Sequence, residues 1–276
     1  MEACSWSNIP DEDFALADDN HWTIGQFVWT GFDYLGEPSP YDTNAWPNHS
    51  SMFGIIDLAS IPKDRYYLYR SVWNKKAETL HILPHWTWPG REGKVTPVFV
   101  YTNHPTAELF INGKSYGKQS KNNSSLKNRY RLMWMDAIYE PGEIKVVAYN
   151  KDGKAVAEKI VRTAGKPHHI ELVSNRNELT ADGKDLAYIT VKVVDKDGNL
   201  CPADSRQINF SVKGAGKYRA AANGDPTNLE QFHLPKMHTF NGMLTAIVQS
   251  GETAGEIVLT AKASGVKAGN IRIQTK

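Results

Sequence analysis

The 276 residues carry 41% hydrophobic and 22% charged side chains, the proportions of a folded globular protein, which excludes general disorder. No apolar run approaches the ~20 residues that a bilayer-spanning helix needs, so no membrane span is expected. MEACSWSNIPDEDF at the start has no basic stretch followed by an apolar one and is not read as a signal peptide. The formal charge of +2 hides a division. Residues 1–62 hold ten Asp or Glu and no Lys or Arg, whereas the remainder holds 32 basic and 20 acidic residues. Seven of the eight tryptophans precede residue 90. An acidic, aromatic-rich segment suits neutral polar rings better than phosphates, since aromatic faces cover the apolar side of a sugar and carboxylates accept from its hydroxyls. Cys4 and Cys201 form neither a disulfide framework nor a metal-ligand spacing.

PDEDFALADD over residues 10–19 predicts a helix, with Pro10 at its first turn and Asp11, Glu12 and Asp13 at the positive end of its dipole. Gly25 breaks the chain, and Gln26 to Thr30 form a short apolar run expected of a strand buried on both faces. A long Gly- and Pro-rich loop follows. A second helix starts near Ser60-Ile61-Pro62, with Tyr66, Tyr69 and Trp73 giving it an aromatic face. Helix, strand, long loop and helix make one unit of an α/β barrel or doubly wound sheet, and one unit cannot close a barrel.

After Trp73 the pattern changes to short strands, at 95–101, 107–112, 129–135, 144–150 and 155–161. Turn chemistry separates them at Asn112-Gly113, Glu140-Pro141-Gly142 and Lys151-Asp152-Gly153. Gly165-Lys166-Pro167 reads as a linker. A second series follows at 169–174, 187–194, 207–213, 243–249, 255–262 and 269–275, the rhythm of an immunoglobulin-like sandwich without its Cys–Trp–Cys core.

Three stretches together resemble glycoside hydrolase family 2, in its β-galactosidase-like members. GQFVWTGFDYLGEPSPY (Gly25 to Tyr41) is similar to the eighth barrel strand and the loop after it. FGIIDLASIPKDRYYLYRSVW (Phe53 to Trp73) is similar to the loop and helix that finish the barrel. LHILPHWTW with VYTNHPTAELFINGKSYG resembles the sandwich that follows, and AANGDPTNLEQFH with FNGMLTAIVQSGETAGEIVLTAKASG resembles a further C-terminal sandwich. The resemblance implies a retaining mechanism on two carboxylates. Both motifs would precede Met1, so no residue of this chain receives a catalytic assignment, and no cofactor is expected. It also implies a sugar-stacking tryptophan at Trp29. That residue closes the apolar run where a barrel strand meets its active-site loop; as a core residue it would instead sit between barrel and helices.

Asp33 is expected at the rim of the sugar site or in a structural hydrogen bond. With Glu37 it makes a carboxylate pair four residues apart, but a Gly/Pro loop leaves their separation open, and catalysis is not assigned to them. His81 and His85 have a zinc-like spacing, yet Pro84 interrupts any regular helix there and no third ligand is near, so packing beside Trp86 and Trp88 is expected. His168-His169 lies at a domain junction. Residues 113–131 hold six Lys or Arg and no acid. This is either a nucleic-acid patch or a hairpin whose charged edge resists edge-to-edge pairing, and the hairpin is preferred, so no nucleic-acid partner is assigned. Asn48-His49-Ser50 and Asn122-Asn123-Ser124 match glycosylation sequons.

The expected architecture is therefore multidomain. Residues 1–75 are the C-terminal remnant of a TIM (β/α)8 barrel, and two all-β immunoglobulin-like sandwiches follow at 76–164 and 165–276. Trp29 and Asp33 face a carbohydrate substrate. The expected partner is the missing N-terminal barrel, and the resemblance favours a periplasmic or secreted location. The alternatives are a non-catalytic carbohydrate-binding or cell-surface protein built of tandem sandwiches, or a truncated gene product. The strand–loop–helix unit at 20–75 argues against the first.

Overall fold

The computed structural model describes residues 7–38 and 46–276, so Cys4 and residues 39–45 of the long loop lie outside the described residues. The chain forms two compact units, Met1–Gly31 with Pro62–Thr163, and Phe32–Ile61 with Ala164–Lys276.

In the first unit, α1 (Pro10–Asp19) begins with Pro10 and three acidic residues, as the dipole favours. Helix α2 (Asp64–Trp73) meets it through aromatic edges. The Phe14 ring lies 5.1 Å from Tyr69 and 6.1 Å from Trp73, and 5.3 Å from Tyr130. Tyr66 turns instead to Tyr67, 5.2 Å away. Strands β1 (Leu80–Leu83), β2 (Val98–Thr102) and β5 (Leu132–Trp134) pair in the order β1-β2-β5. Strands β3 (Thr106–Ile111), β4 (Lys114–Ser120), β6 (Glu143–Tyr149) and β7 (Ala155–Arg162) pair in the order β4-β3-β6-β7. The inward residues of β3 and β6 alternate strictly, and Leu109, Ile111, Ile144 and Val146 share one core with the fully buried Trp86, Trp134 and Tyr139. The start expected for β5 is instead a short helix, α3 (Leu126–Tyr130), because Ser125 caps it by accepting from the Asn128 N–H.

The strand expected at 26–30 is not formed. No strand lies between Asn20 and Gly31, and the helices on either side pack within the first unit rather than as part of a barrel. The physical reason is that a strand is stabilised by its neighbours' ladder, and this run has none to pair with.

The second unit holds a four-stranded sheet in the order β12-β14-β10-β8 and a five-stranded sheet in the order β13-β11-β15-β16-β9. Its strands are β8 (His169–Ser174), β9 (Glu178–Leu179), β10 (Leu186–Val194), β11 (Gln207–Gly214), β12 (Gly216–Ala222), β13 (Lys236–His238), β14 (Met243–Ser250), β15 (Gly255–Lys262) and β16 (Gly269–Thr275). Ile189, Val191, Leu244, Ala246, Ile208 and Leu259 fill the core between the sheets. Segment 32–61 belongs to this unit. The Thr245 hydroxyl donates to the Ala59 carbonyl at 2.7 Å, and the His49 N–H donates to Pro226 O at 3.0 Å.

Candidate functional site

Residues 24–29 leave the first unit with its apolar side chains in solvent. Ile24 and Phe27 are fully exposed, Trp22 is 80% exposed and Trp29 is 75% exposed. The Trp29–Thr30 peptide is cis. Burial of such side chains is the main favourable term of folding, so four of them within eight residues mark a surface suited to a partner or ligand. Trp29, the expected sugar platform, is therefore not a core residue of this unit.

Asp33 lies in the second unit and is 7% exposed. Its backbone N–H donates to Ile56 O at 3.0 Å, and its Oδ1 accepts from the Gly54 N–H at 2.8 Å. Only glycine fits at position 54, since a Cβ there would lie 2.2 Å from the Asp33 nitrogen. Asp33 thus closes the base of the loop, with bridges at Phe32–Ile56 and Leu35–Ser50 above it. Asp57 continues the closure, its Oδ1 accepting from the Ala59 and Ile61 N–H groups, both at 2.8 Å. Glu37 is exposed, has a positive φ of 26°, and accepts from the Tyr34 hydroxyl. The two carboxylates therefore sit in unlike environments, one buried in a loop closure and the other in solvent.

The remaining sequence candidates are held by local packing. His81 Nε2 bonds Asp64 Oδ1 at 2.7 Å and its ring stacks 3.9 Å from Tyr67. His85 stacks 4.1 Å from Trp88, and burial lowers its pKa. No cluster of metal-binding groups occurs among the described residues. His168 and His169 contact each other through their Nδ1 atoms at 3.0 Å. Of the basic run, β4 is an exposed edge strand with Lys118 over the Tyr149 ring at 3.9 Å. Arg129 pairs with Asp19 at 2.8 Å. Arg131 grips the fully buried Asp11, its Nε donating to Oδ1 at 2.9 Å and its Nη2 to Oδ2. Lys121 donates to Thr102 O, and burial pushes its pKa down to about 8.

Sequence reasoning passed over a groove in the second unit, of about 460 Å³, where Leu35 and His49 meet residues 219–233. Its components lie too far apart in the chain for any spacing rule to join them.

The model of glycoside hydrolase family 2 C-terminal domain 5 matches residues 170–272, and a domain of unknown function matches residues 93–157. A β-galactosidase of Bacteroides ovatus is 43% identical over 272 residues, 98% of this chain and 31% of the relative. A β-glucuronidase of Formosa agariphila is 25% identical over 266 residues, 94% of this chain and 26% of the relative. The crystal structure of a β-glycosidase from Bacteroides vulgatus superposes with a TM-score of 0.87 at 35% identity, covering 96% of this chain and 33% of that one. The chain thus spans about a third of the length of this Bacteroides ovatus relative.

Proposed function

This chain belongs to glycoside hydrolase family 2, whose C-terminal part it carries, and on that premise we propose that it completes a retaining glycosidase acting on terminal β-galactosides. In this reading two carboxylates outside these residues do the covalent chemistry, one as nucleophile and one as acid/base. Segment 20–31 supplies the last strand of a TIM barrel, and the barrel is the partner that covers Ile24 and Phe27. Trp29 then offers its flat indole face to the C–H side of the sugar ring at little entropic cost. Asp33 closes the loop that follows in sequence, at Gly54.

The observation that carries this reading is the exposure of Ile24, Phe27 and Trp29 in a run that has strand composition and no partner strand. A tandem-sandwich binding module has no use for such a run. Charge favours a galactoside over a glucuronide, because residues 1–62 contain no Lys or Arg to pair with a uronate. The family resemblance favours a periplasmic or secreted setting. The test is an assay of the purified chain, and of the polypeptide joined to an upstream family 2 barrel, on aryl β-galactoside and aryl β-glucuronide. The expected result is no turnover by the chain alone and galactoside turnover by the joined protein. Turnover by the chain alone, abolished in Asp33→Asn or Glu37→Gln, would overturn the assignment.

A further inference from the structure

The groove of the second unit is built as a site. One wall is the loop 223–235 between β12 and β13, which has no secondary structure of its own and is fixed by side chains. Asn223 Nδ2 donates to His238 O at 2.8 Å, and its Oδ1 accepts from the Asp225 N–H. The Tyr218 hydroxyl donates to Leu234 O at 2.7 Å. Glu230 accepts from the His238 N–H at 2.9 Å and contacts its Nδ1 at 3.0 Å, so both carboxylate oxygens are engaged. The other wall is the loop end at 46–50. There the His49 N–H bonds Pro226 O and His49 Nδ1 bonds Pro47 O at 2.9 Å, which leaves Nε2 as a free acceptor. A long loop held this firmly is a scaffold for side chains rather than a slack connection.

What the walls present is an apolar floor and unspent polar groups. Leu35, Leu229 and Phe232 line the floor, and Leu229 is more than half exposed. Around it stand the Arg219 guanidinium, the Gln231 amide and the His233 ring, none with a side-chain hydrogen bond among the described residues. Trp46, 70% exposed, lies outside this lining but next to it, its ring centroid 6.3 Å from that of His49. A flat aromatic face, an apolar floor and several neutral or cationic donors and acceptors match the two sides of a pyranose, whose C–H face is apolar and whose rim is hydroxyl. Glu230 is the acidic residue of the groove, and each of its carboxylate oxygens already contacts His238.

We infer that this groove is a saccharide subsite that binds a neutral β-linked sugar unit, and that the last sandwich therefore takes part in substrate recognition. The inference rests on the carbohydrate chemistry proposed above, but its location is independent of Trp29.

The test is isothermal titration of the whole chain with a β-galacto-oligosaccharide, alongside Trp46→Ala, His233→Ala and Trp29→Ala, with thermal midpoints as a folding control. The expected result is weak binding by the wild type, a loss of about tenfold in affinity in Trp46→Ala and His233→Ala, and no change in Trp29→Ala. No binding by the wild type overturns the inference, as does equal binding by all variants. Binding weakened only in Trp29→Ala overturns it too, and in that case leaves the proposed function standing. Failure of the proposed function is read separately, from aryl-glycoside turnover.

Discussion

Arg131→Met tests how firmly the N-terminal helix belongs to the first unit. Asp11, on α1, is fully buried, and Arg131, 6% exposed, grips both of its carboxylate oxygens across 120 residues of sequence. Methionine keeps much of the arginine's apolar stem but leaves the Asp11 carboxylate in a dry site with no opposite charge. Breaking one side of a buried pair costs about 3–5 kcal/mol. Against a whole-domain stability of ~5–15 kcal/mol, that is a large share. Urea denaturation followed by tryptophan fluorescence reports the right transition, because six of the seven described tryptophans lie in the first unit. The midpoint should fall strongly, and adding Asp11→Leu should restore most of the loss, since no uncompensated charge then remains. Removing the exposed Arg129–Asp19 pair should barely move the midpoint. A change in Arg131→Met of under about 1 kcal/mol, the scale of a surface pair, would refute the reasoning.

Gly54→Ala should destabilise the second unit and open segment 32–61 to protease, because the new Cβ would meet the Asp33 backbone at 2.2 Å; an unchanged digestion pattern would show that the closure gives way easily. Asp195 accepts from the Gly165, Asp197 and Asn199 N–H groups, and these bonds outweigh burial, which raises the pKa, and hold it at about 2 against an ordinary 3.8. A depressed carboxylate stabilises above its unfolded pKa, so Asp195→Ala should cost about 2 kcal/mol near neutrality. Urea midpoints of the two proteins should converge as the pH falls from about 4 through 2, and a gap that does not narrow would contradict the assignment. In this chain Trp29→Ala should cost only about 1.5 kcal/mol, from roughly 60 Å² of buried surface at ~25 cal/mol per Å². Trp86→Ala, with the indole fully buried, should cost about 3–5 kcal/mol, and equal losses would make Trp29 a core residue.

Much of this fold is legible in the sequence where one physical signal dominates. Pro10 with three acids announces α1, and the alternation of β3 and β6 announces a half-buried sheet. Strand β4, KSYGKQS, is polar on both faces because it is an exposed edge, and it reads as a basic run instead. Strand β12, GKYRAAA, holds Gly and Ala where strand formers are expected, and its glycine is needed because a Cβ at 216 would lie 2.6 Å from the Gln249 carbonyl oxygen. The run 26–30 has strand composition but no strand, since composition cannot supply the neighbour that pairing needs. At the candidate site, Trp29 is legible as an aromatic residue closing an apolar run. The part played by Asp33 becomes clear only when Gly54 is brought against it, and the groove of Leu35, His49, Arg219 and His233 exists only in three dimensions.

In the function proposed above, this chain supplies the sugar-facing C-terminal part of a family 2 β-galactosidase. The most direct measurement joins these residues to the upstream part of the Bacteroides ovatus relative, in place of the region they match, and follows aryl β-galactoside turnover of that protein and of its Trp29→Ala variant. Turnover in the joined protein is expected, with kcat/KM falling at least about tenfold in the variant while its thermal midpoint stays within a few degrees. A folded joined protein with no turnover, or a variant whose kinetics are unchanged while its midpoint collapses, would contradict the account.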